Sequence, residues 1–292
     1  MNTQINFLRS LARGACLALV ATASLASASQ LLNISTRALV STGDEVLIGG
    51  FIITGNEPKK VIVRALGPSV ASTDFFPHLA DPVLELHQSN GAVVVNDDWR
   101  DTQEQQIIDT GVAPLEEEES AIVATLAPGA HTAIVRGKDD DEGVGLVEVY
   151  DLDPEADSRL ANVSTRSLVV NVIEGTAMIA GFIIGPEGSG DGTVVIRGLG
   201  PSLRGSGLAT TLSDPNLTLY NSDGDVIGMN DDWMDDPNAS EIAAVGLGPS
   251  DPSEAAFLGT FSPGAYTAVL SGELSFPDLD VGNGLVEVYQ LE

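Results

Sequence analysis

Val83-Leu84-Glu85-Leu86-His87-Gln88-Ser89-Asn90-Gly91-Ala92-Val93-Val94-Val95 holds two short apolar runs around an Asn-Gly pair. It returns as Leu217-Thr218-Leu219-Tyr220-Asn221-Ser222-Asp223-Gly224-Asp225-Val226-Ile227-Gly228-Met229, with Asp-Gly at the turn. Asn-Gly and Asp-Gly accept the positive φ that a tight hairpin imposes, so each stretch reads as strand, turn, strand.

The copying extends outward in both directions. Asn33-Ile34-Ser35-Thr36-Arg37 returns as Asn162-Val163-Ser164-Thr165-Arg166, and Arg64-Ala65-Leu66-Gly67-Pro68-Ser69 as Arg197-Gly198-Leu199-Gly200-Pro201-Ser202. Asn96-Asp97-Asp98-Trp99 matches Asn230-Asp231-Asp232-Trp233, and Gly145-Leu146-Val147-Glu148-Val149-Tyr150 matches Gly284-Leu285-Val286-Glu287-Val288-Tyr289. The order is preserved, so the chain holds two tandem units of about 125 residues, each long enough to bury a core. Further β-branched runs lie at 45–53, 60–64, 121–126, 131–135 and 146–150, and at 176–184, 193–197, 255–261, 266–270 and 285–289. Helical periodicity is nearly absent. The expectation is an all-β chain of two tandem β-sandwich domains, jelly-roll or Ig-like, at 29–153 and 154–292, joined at the polar stretch 153–158. Pro128-Gly129 and Pro263-Gly264 read as a second hairpin in each unit, and 104–109 and 240–244 as short helical turns in a connecting loop.

Residues 1–28 read as a signal peptide. Arg9 and Arg13 precede an apolar run at 15–25, and Ala26-Ser27-Ala28 offers a cleavage site. That run is short for a membrane span. Cys16 is the single cysteine and falls inside the leader, so the exported chain has no disulfide to rely on. The last strand run is followed by only a few residues up to Glu292, and no C-terminal anchor is expected. The formal net charge is −29, and the leader contributes two arginines and no acid, so the exported part is more acidic still. Such a surface disfavours nucleic acid and anionic membranes, and suits divalent cations or basic partners.

The pattern S-T-R, G-F-I-I, R-x-L-G-P-S, D-P-x-L-x-L, N-D-D-W, P-G-x-Y-T-A and G-L-V-E-V-Y resembles a tandem repeat domain of exported proteins from environmental bacteria. The later half of each copy, 217–233 and Pro263-Gly264-Ala265-Tyr266-Thr267 in the second, is similar to the bacterial pre-peptidase C-terminal domain, a secreted β-sandwich accessory module. Some members of that group bind calcium, and neither resemblance supplies a catalytic centre. His131 stands where the second copy has Tyr266, a departure from the pattern.

The two Asn-Asp-Asp-Trp motifs are the best candidate sites. Ca²⁺ takes six to eight oxygens, and Asn96, Asp97, Asp98, Asn230, Asp231 and Asp232 supply carboxylates and amides beside a strand end. Asp223 and Asp225, or the acids at 139–141, would complete a set. The competing reading is an Asx turn in which these side chains bond backbone N–H groups. Trp99 and Trp233 are core-packing rings or, alternatively, sugar-stacking platforms. Arg64 and Arg197 end apolar strands and Glu148 and Glu287 interrupt others, which suggests paired, partly buried ions; Asp81 and Asp214 are alternative partners. His78, His87 and His131 have no counterparts in the second copy and form no ligand spacing, and Ser69 and Ser202 lack a nucleophile elbow. The expectation is therefore a secreted, calcium-stabilised binding or structural module, not an enzyme. Its partner would be an extracellular protein or polysaccharide. The alternative is a carbohydrate-binding module.

Overall fold

The computed structural model describes residues 29–70, 76–170, 177–208, 210–275 and 278–291; the signal-peptide reading of 1–28 lies outside them. The chain is all-β. In the first copy the strands are β1 (Gln30–Val40), β2 (Leu47–Gly55), β3 (Lys59–Leu66), β4 (Pro82–His87), β5 (Val93–Asn96), β6 (Ser120–Leu126), β7 (Gly129–Gly137) and β8 (Gly143–Asp151). In the second they are β9 (Ser158–Val170), β10 (Met178–Gly185), β11 (Gly192–Leu199), β12 (Pro215–Tyr220), β13 (Val226–Asn230), β14 (Ala255–Phe261), β15 (Gly264–Gly272) and β18 (Val281–Leu291). The small pair β16 (Leu274–Ser275) and β17 (Asp278–Leu279) precedes β18. Helices α1 (Glu104–Ile108) and α2 (Ala239–Ala244) occupy the expected connecting loops.

Apart from the β16–β17 pair, the strands form one 16-stranded network. One run of antiparallel neighbours is β6-β3-β8-β1-β10-β15-β12-β13, and its counterpart is β14-β11-β18-β9-β2-β7-β4-β5. Each run crosses from one copy to the other, at β1–β10 and at β9–β2. The first strand of each copy thus completes the other copy's sheet. Where β1 and β9 meet in parallel, Leu31 faces Leu160 and Leu39 faces Leu168.

The repeated S-T-R and G-F-I-I motifs make this seam. Thr36 Oγ1 donates to Thr165 Oγ1 at 2.8 Å, a contact between equivalent residues of the two copies. A Cβ on Gly50 would lie 2.7 Å from Ser164 Oγ, and one on Gly181 would lie 2.7 Å from Ser35 Oγ. The glycines are where the other copy's serine comes close. One apolar cluster runs through both copies, with Leu31, Phe51, Val63 and Leu84 from the first and Leu160, Phe182, Ile196 and Leu217 from the second. Full burial of such side chains contributes about 1.5–3 kcal/mol each.

The hairpins at 88–92 and 221–225 form, with φ +85° at Gly91 and +82° at Gly224. The Pro-Gly hairpins do not. β6 pairs with β3 while β7 pairs with β2 and β4, and β14 pairs with β11 while β15 pairs with β10 and β12. Pro128-Gly129 and Pro263-Gly264 instead carry the chain from one run to the other. A local turn signal reports a reversal, not which strands pair afterwards. His131 does the work of Tyr266: it stacks on Phe51 at 5.3 Å and bonds Ala127 O, as Tyr266 stacks on Phe182 at 5.5 Å and donates to Ser262 O.

Without the second copy, β1 and β2 would each lose a neighbour. Because equivalent residues meet at the seam, a second molecule of the first copy can supply both. Residues 29–157 alone should therefore run as a homodimer in light scattering coupled to size exclusion. A folded monomer would contradict the shared-sheet account.

Candidate functional site

Each Asn-Asp-Asp-Trp motif begins at the end of an edge strand. Asn96 is buried, and its Oδ1 accepts the Ala121 N–H at 2.8 Å while its Nδ2 donates to Asp98 O at 2.9 Å. Asn230 repeats this with Ala256 N and Asp232 O at 2.8 and 2.9 Å. Each Oδ1 thus fastens the motif onto the neighbouring strand, and each Nδ2 closes the turn within the motif. Trp99 and Trp233 are only 3% and 8% exposed. Trp99 packs with Ile62 and Ile107, and Trp233 with Val195 and Ile242, so each pins a helix-bearing loop onto the sheet. The stacking platform of the carbohydrate reading needs an open ring face, and neither indole presents one. Asp223 and Asp225 sit exposed in the hairpin turn, where their N–H groups donate to Asn221 Oδ1 at 3.0 and 2.9 Å.

The carboxylates gather differently from the expected set. Asp81, Asp97 and Asp98 each offer an oxygen within 4.8 Å of the others. Lys138 Nζ bridges Asp81 Oδ2 at 3.1 Å and Asp97 Oδ2 at 2.8 Å, while the Oδ1 atoms of both aspartates are buried with no hydrogen-bond partner. Burial, then the neighbouring Asp97, pushes the Asp98 carboxyl above its ordinary range. The hydrogen bonds that Lys138 donates to Asp97 and Asp81 raise its ammonium in turn. In the second copy Glu273 takes the place of Lys138. The Lys138 N–H donates to Asp81 O at 2.9 Å, and the Glu273 N–H donates to Asp214 O at 3.0 Å. A carboxylate thus replaces an ammonium among Asp214, Asp231 and Asp232. Burial first, then a hydrogen bond and repulsion from Glu273, pushes Asp214 up to about 6. The motif alone did not reveal Asp81, Lys138, Asp214 and Glu273, because they flank the ends of other strands. The D-P-x-L-x-L repeat was the available signal for Asp81 and Asp214.

The expected ion pairs form between registered neighbours. Arg64 Nε donates to Glu148 Oε2 at 2.9 Å and Nη1 to Val112 O at 2.6 Å; Arg197 does so to Glu287 Oε2 at 2.8 Å and to Leu247 O at 3.0 Å. Tyr150 and Tyr289 donate to the same glutamates' Oε1 at 3.2 and 2.9 Å. Burial, then Glu287, pushes the Tyr289 hydroxyl up to about 12. These polar groups hold the loop that carries the helix against the sheet.

Glu119 and Glu254, both wholly buried, were not singled out from sequence. Glu254 Oε1 accepts Gly200 N and Ser202 N, each at 2.9 Å, and Ser202 Oγ at 2.6 Å. Glu119 Oε1 accepts Gly67 N at 3.2 Å, Ser69 N at 3.0 Å and the Ser69 hydroxyl. The Gly-Pro-Ser turn is therefore a cradle for a buried carboxylate.

A scan against protein-family models matches no family, and no curated protein is significantly similar to the chain. No helix among the described residues is long and apolar enough to cross a membrane.

Two measurements check these assignments. Glu254→Ala strands the donors of Gly200, Ser202 and Asp251, and urea unfolding should show a loss of about 3 kcal/mol or more, with Glu254→Gln recovering part of it. Asp214 binds its proton more tightly folded than unfolded, so its contribution is most favourable at low pH and is lost as pH rises through about 6. Asp214→Asn should therefore melt above the wild type at pH 7, and the advantage should shrink at pH 5.

Proposed function

We propose that this chain is an exported, non-catalytic binding or structural module of two β-sandwich units, stabilised by Ca²⁺ and acting at the cell surface or in the extracellular matrix. The observation that carries the calcium reading is the pair of donorless, buried oxygens, Asp81 Oδ1 and Asp97 Oδ1, beside Asp98. Buried carboxylate oxygens are normally hydrogen-bonded or bound to a cation. Three carboxylates outweigh the one Lys138 ammonium, and a hard divalent ion matches the excess. Asp81, Asp97 and Asp98 would hold it, with water filling the remaining positions. In the second copy Asp214, Asp231, Asp232 and Glu273 have no lysine among them, but among the described residues only the first copy's three aspartates converge closely enough to share an ion. Asn96 and Asn230 leave the ligand set, and Asp223 and Asp225 stay with the turn.

The non-catalytic part is supported by how the repeated charged groups are used. The Arg–Glu pairs and the cradled glutamates are all tied to backbone or to each other, and each ties a loop to a strand. A protein or polysaccharide partner outside the cell suits the acidic surface and the exported reading of the leader.

Melting curves in millimolar CaCl₂ and in chelator test the proposal. Calcium should raise the melting temperature by several degrees, as expected for a ligand that binds the folded state. Asp97→Asn with Asp98→Asn should remove most of that gain, and Asp231→Asn with Asp232→Asn little of it. Superimposed curves with and without calcium would rule the metal out.

A further inference from the structure

We propose that the free edge of β13, with the uncharged sheet face beside it, docks an extended apolar segment that carries Lys or Arg at both ends. This deepens the proposed role in protein association and does not depend on calcium.

The four neighbouring strands β13, β12, β15 and β10 contain no Asp, Glu, Lys, Arg or His, in a chain where 19% of residues are charged. Registered rows cross them: Ile179 beside Val269, Val269 beside Thr218, Thr218 beside Met229. The next row is Gly181, Thr267, Tyr220 and Val226. The equivalent rows of the first copy are not neutral. Ile48, Ile134, Glu85 and Val95 make one, Gly50, Thr132, His87 and Val93 the other, and Arg136 lies on the same strand as Ile134.

Strand β13 ends its run. Among the described residues it pairs only with β12, and it exposes Val226 (52%), Ile227 (44%) and Met229 (65%). Edges are usually protected by Lys, Pro or inward charge, and β13 has none of these. The one irregularity is a bulge at Ile227, which leaves that residue without an opposite number on β12. An added strand would satisfy the open backbone groups while its apolar side chains cover Met229 and Val226.

Charge selects the occupant. Exposed Asp223 and Asp225 stand at one end of β13, and exposed Asp231 and Asp232 at the other. A second copy of this chain would bring the same acids to both ends and a net charge of −29. A segment with basic ends meets opposite charge at each. On β5 the exposed valines are a poorer match, since Lys138 already neutralises Asp97 at 2.8 Å.

The test uses the full exported chain and a fluorescent peptide of alternating valine and threonine with two lysines at each end. A matched peptide carries glutamates instead. The lysine peptide should bind, more weakly in about 0.5 M salt as exposed charges are screened. Met229→Lys should reduce affinity at least about tenfold, and Val95→Lys on β5 should not change it. In the unmodified protein, peptide addition should slow hydrogen exchange at the β13 amides, a readout that needs no variant. Equal binding of the glutamate peptide, absence of binding, or equal loss with Val95→Lys would overturn the proposal. So would sedimentation showing self-association abolished by Met229→Lys, which would make a second copy the occupant. A flat calcium response with intact peptide binding would remove the metal and leave this site standing.

Discussion

The hydroxyl contact between Thr36 and Thr165, flanked by serines set against glycines, is where equivalent residues of the two copies touch. The topology follows from that seam. Because β1 completes the sheet begun by β10, and β9 the sheet begun by β2, two internal edges that would otherwise lie open are paired. Open edges invite uncontrolled pairing with other chains, so joining them both adds hydrogen bonds and removes that hazard. It also fuses the apolar interiors. A side chain such as Phe51 is buried in the same cluster as Phe182, and a change at the seam reaches both copies.

On the outer faces the sheets are held to their loops by polar devices used twice. Glu119 and Glu254 sit where burial would be costly for a bare carboxylate, and backbone N–H groups and a serine hydroxyl offset that cost. Arg64 and Arg197 each reach from a strand to a glutamate and to a loop carbonyl. Beneath these, Trp99 and Trp233 supply the apolar contact. The N-D-D-W motif therefore works first as a fastening: the Asn bonds the next strand, the Trp fills the gap below the helix, and only the aspartates face outward.

The β-class, most strands, the Asn-Gly and Asp-Gly hairpins and the Arg–Glu pairs were legible in the sequence because they depend on local composition or on charge scarcity. Strands β1 and β9 were visible only as a repeated Asn-x-Ser-Thr-Arg, since their polar residues suit a seam and lack the usual β-branched run. Their exchange between copies was not legible, because the pattern of a strand does not say which edge it will join. The Pro-Gly turns misled for the same reason. At the candidate site the aspartates were found, but their neighbours come from positions far apart in sequence. Asn96 and Asn230 look like ligands on paper, and backbone geometry makes them fasteners.

Where the copies differ, the differences share a direction. All three lysines, Lys59, Lys60 and Lys138, lie in the first copy. Lys59 is buried in an ion pair with Asp151 at 2.8 Å, and Lys138 bridges two aspartates. The second copy has Gly192 and Glu273 at the places of Lys59 and Lys138. At Gly192, beside Ser29 and Gln290, the structure has a cavity of about 740 Å³; at Glu273, carboxylates crowd together until Asp214 keeps its proton up to about pH 6. An ammonium built into the fold pays no association entropy, so the first copy is neutralised whatever the medium contains. The second copy lacks that ammonium, and there burial and the neighbouring Glu273 raise Asp214 to about 6. The two copies thus keep one framework and place opposite charges, Lys138 and Glu273, at the same point beside their aspartates.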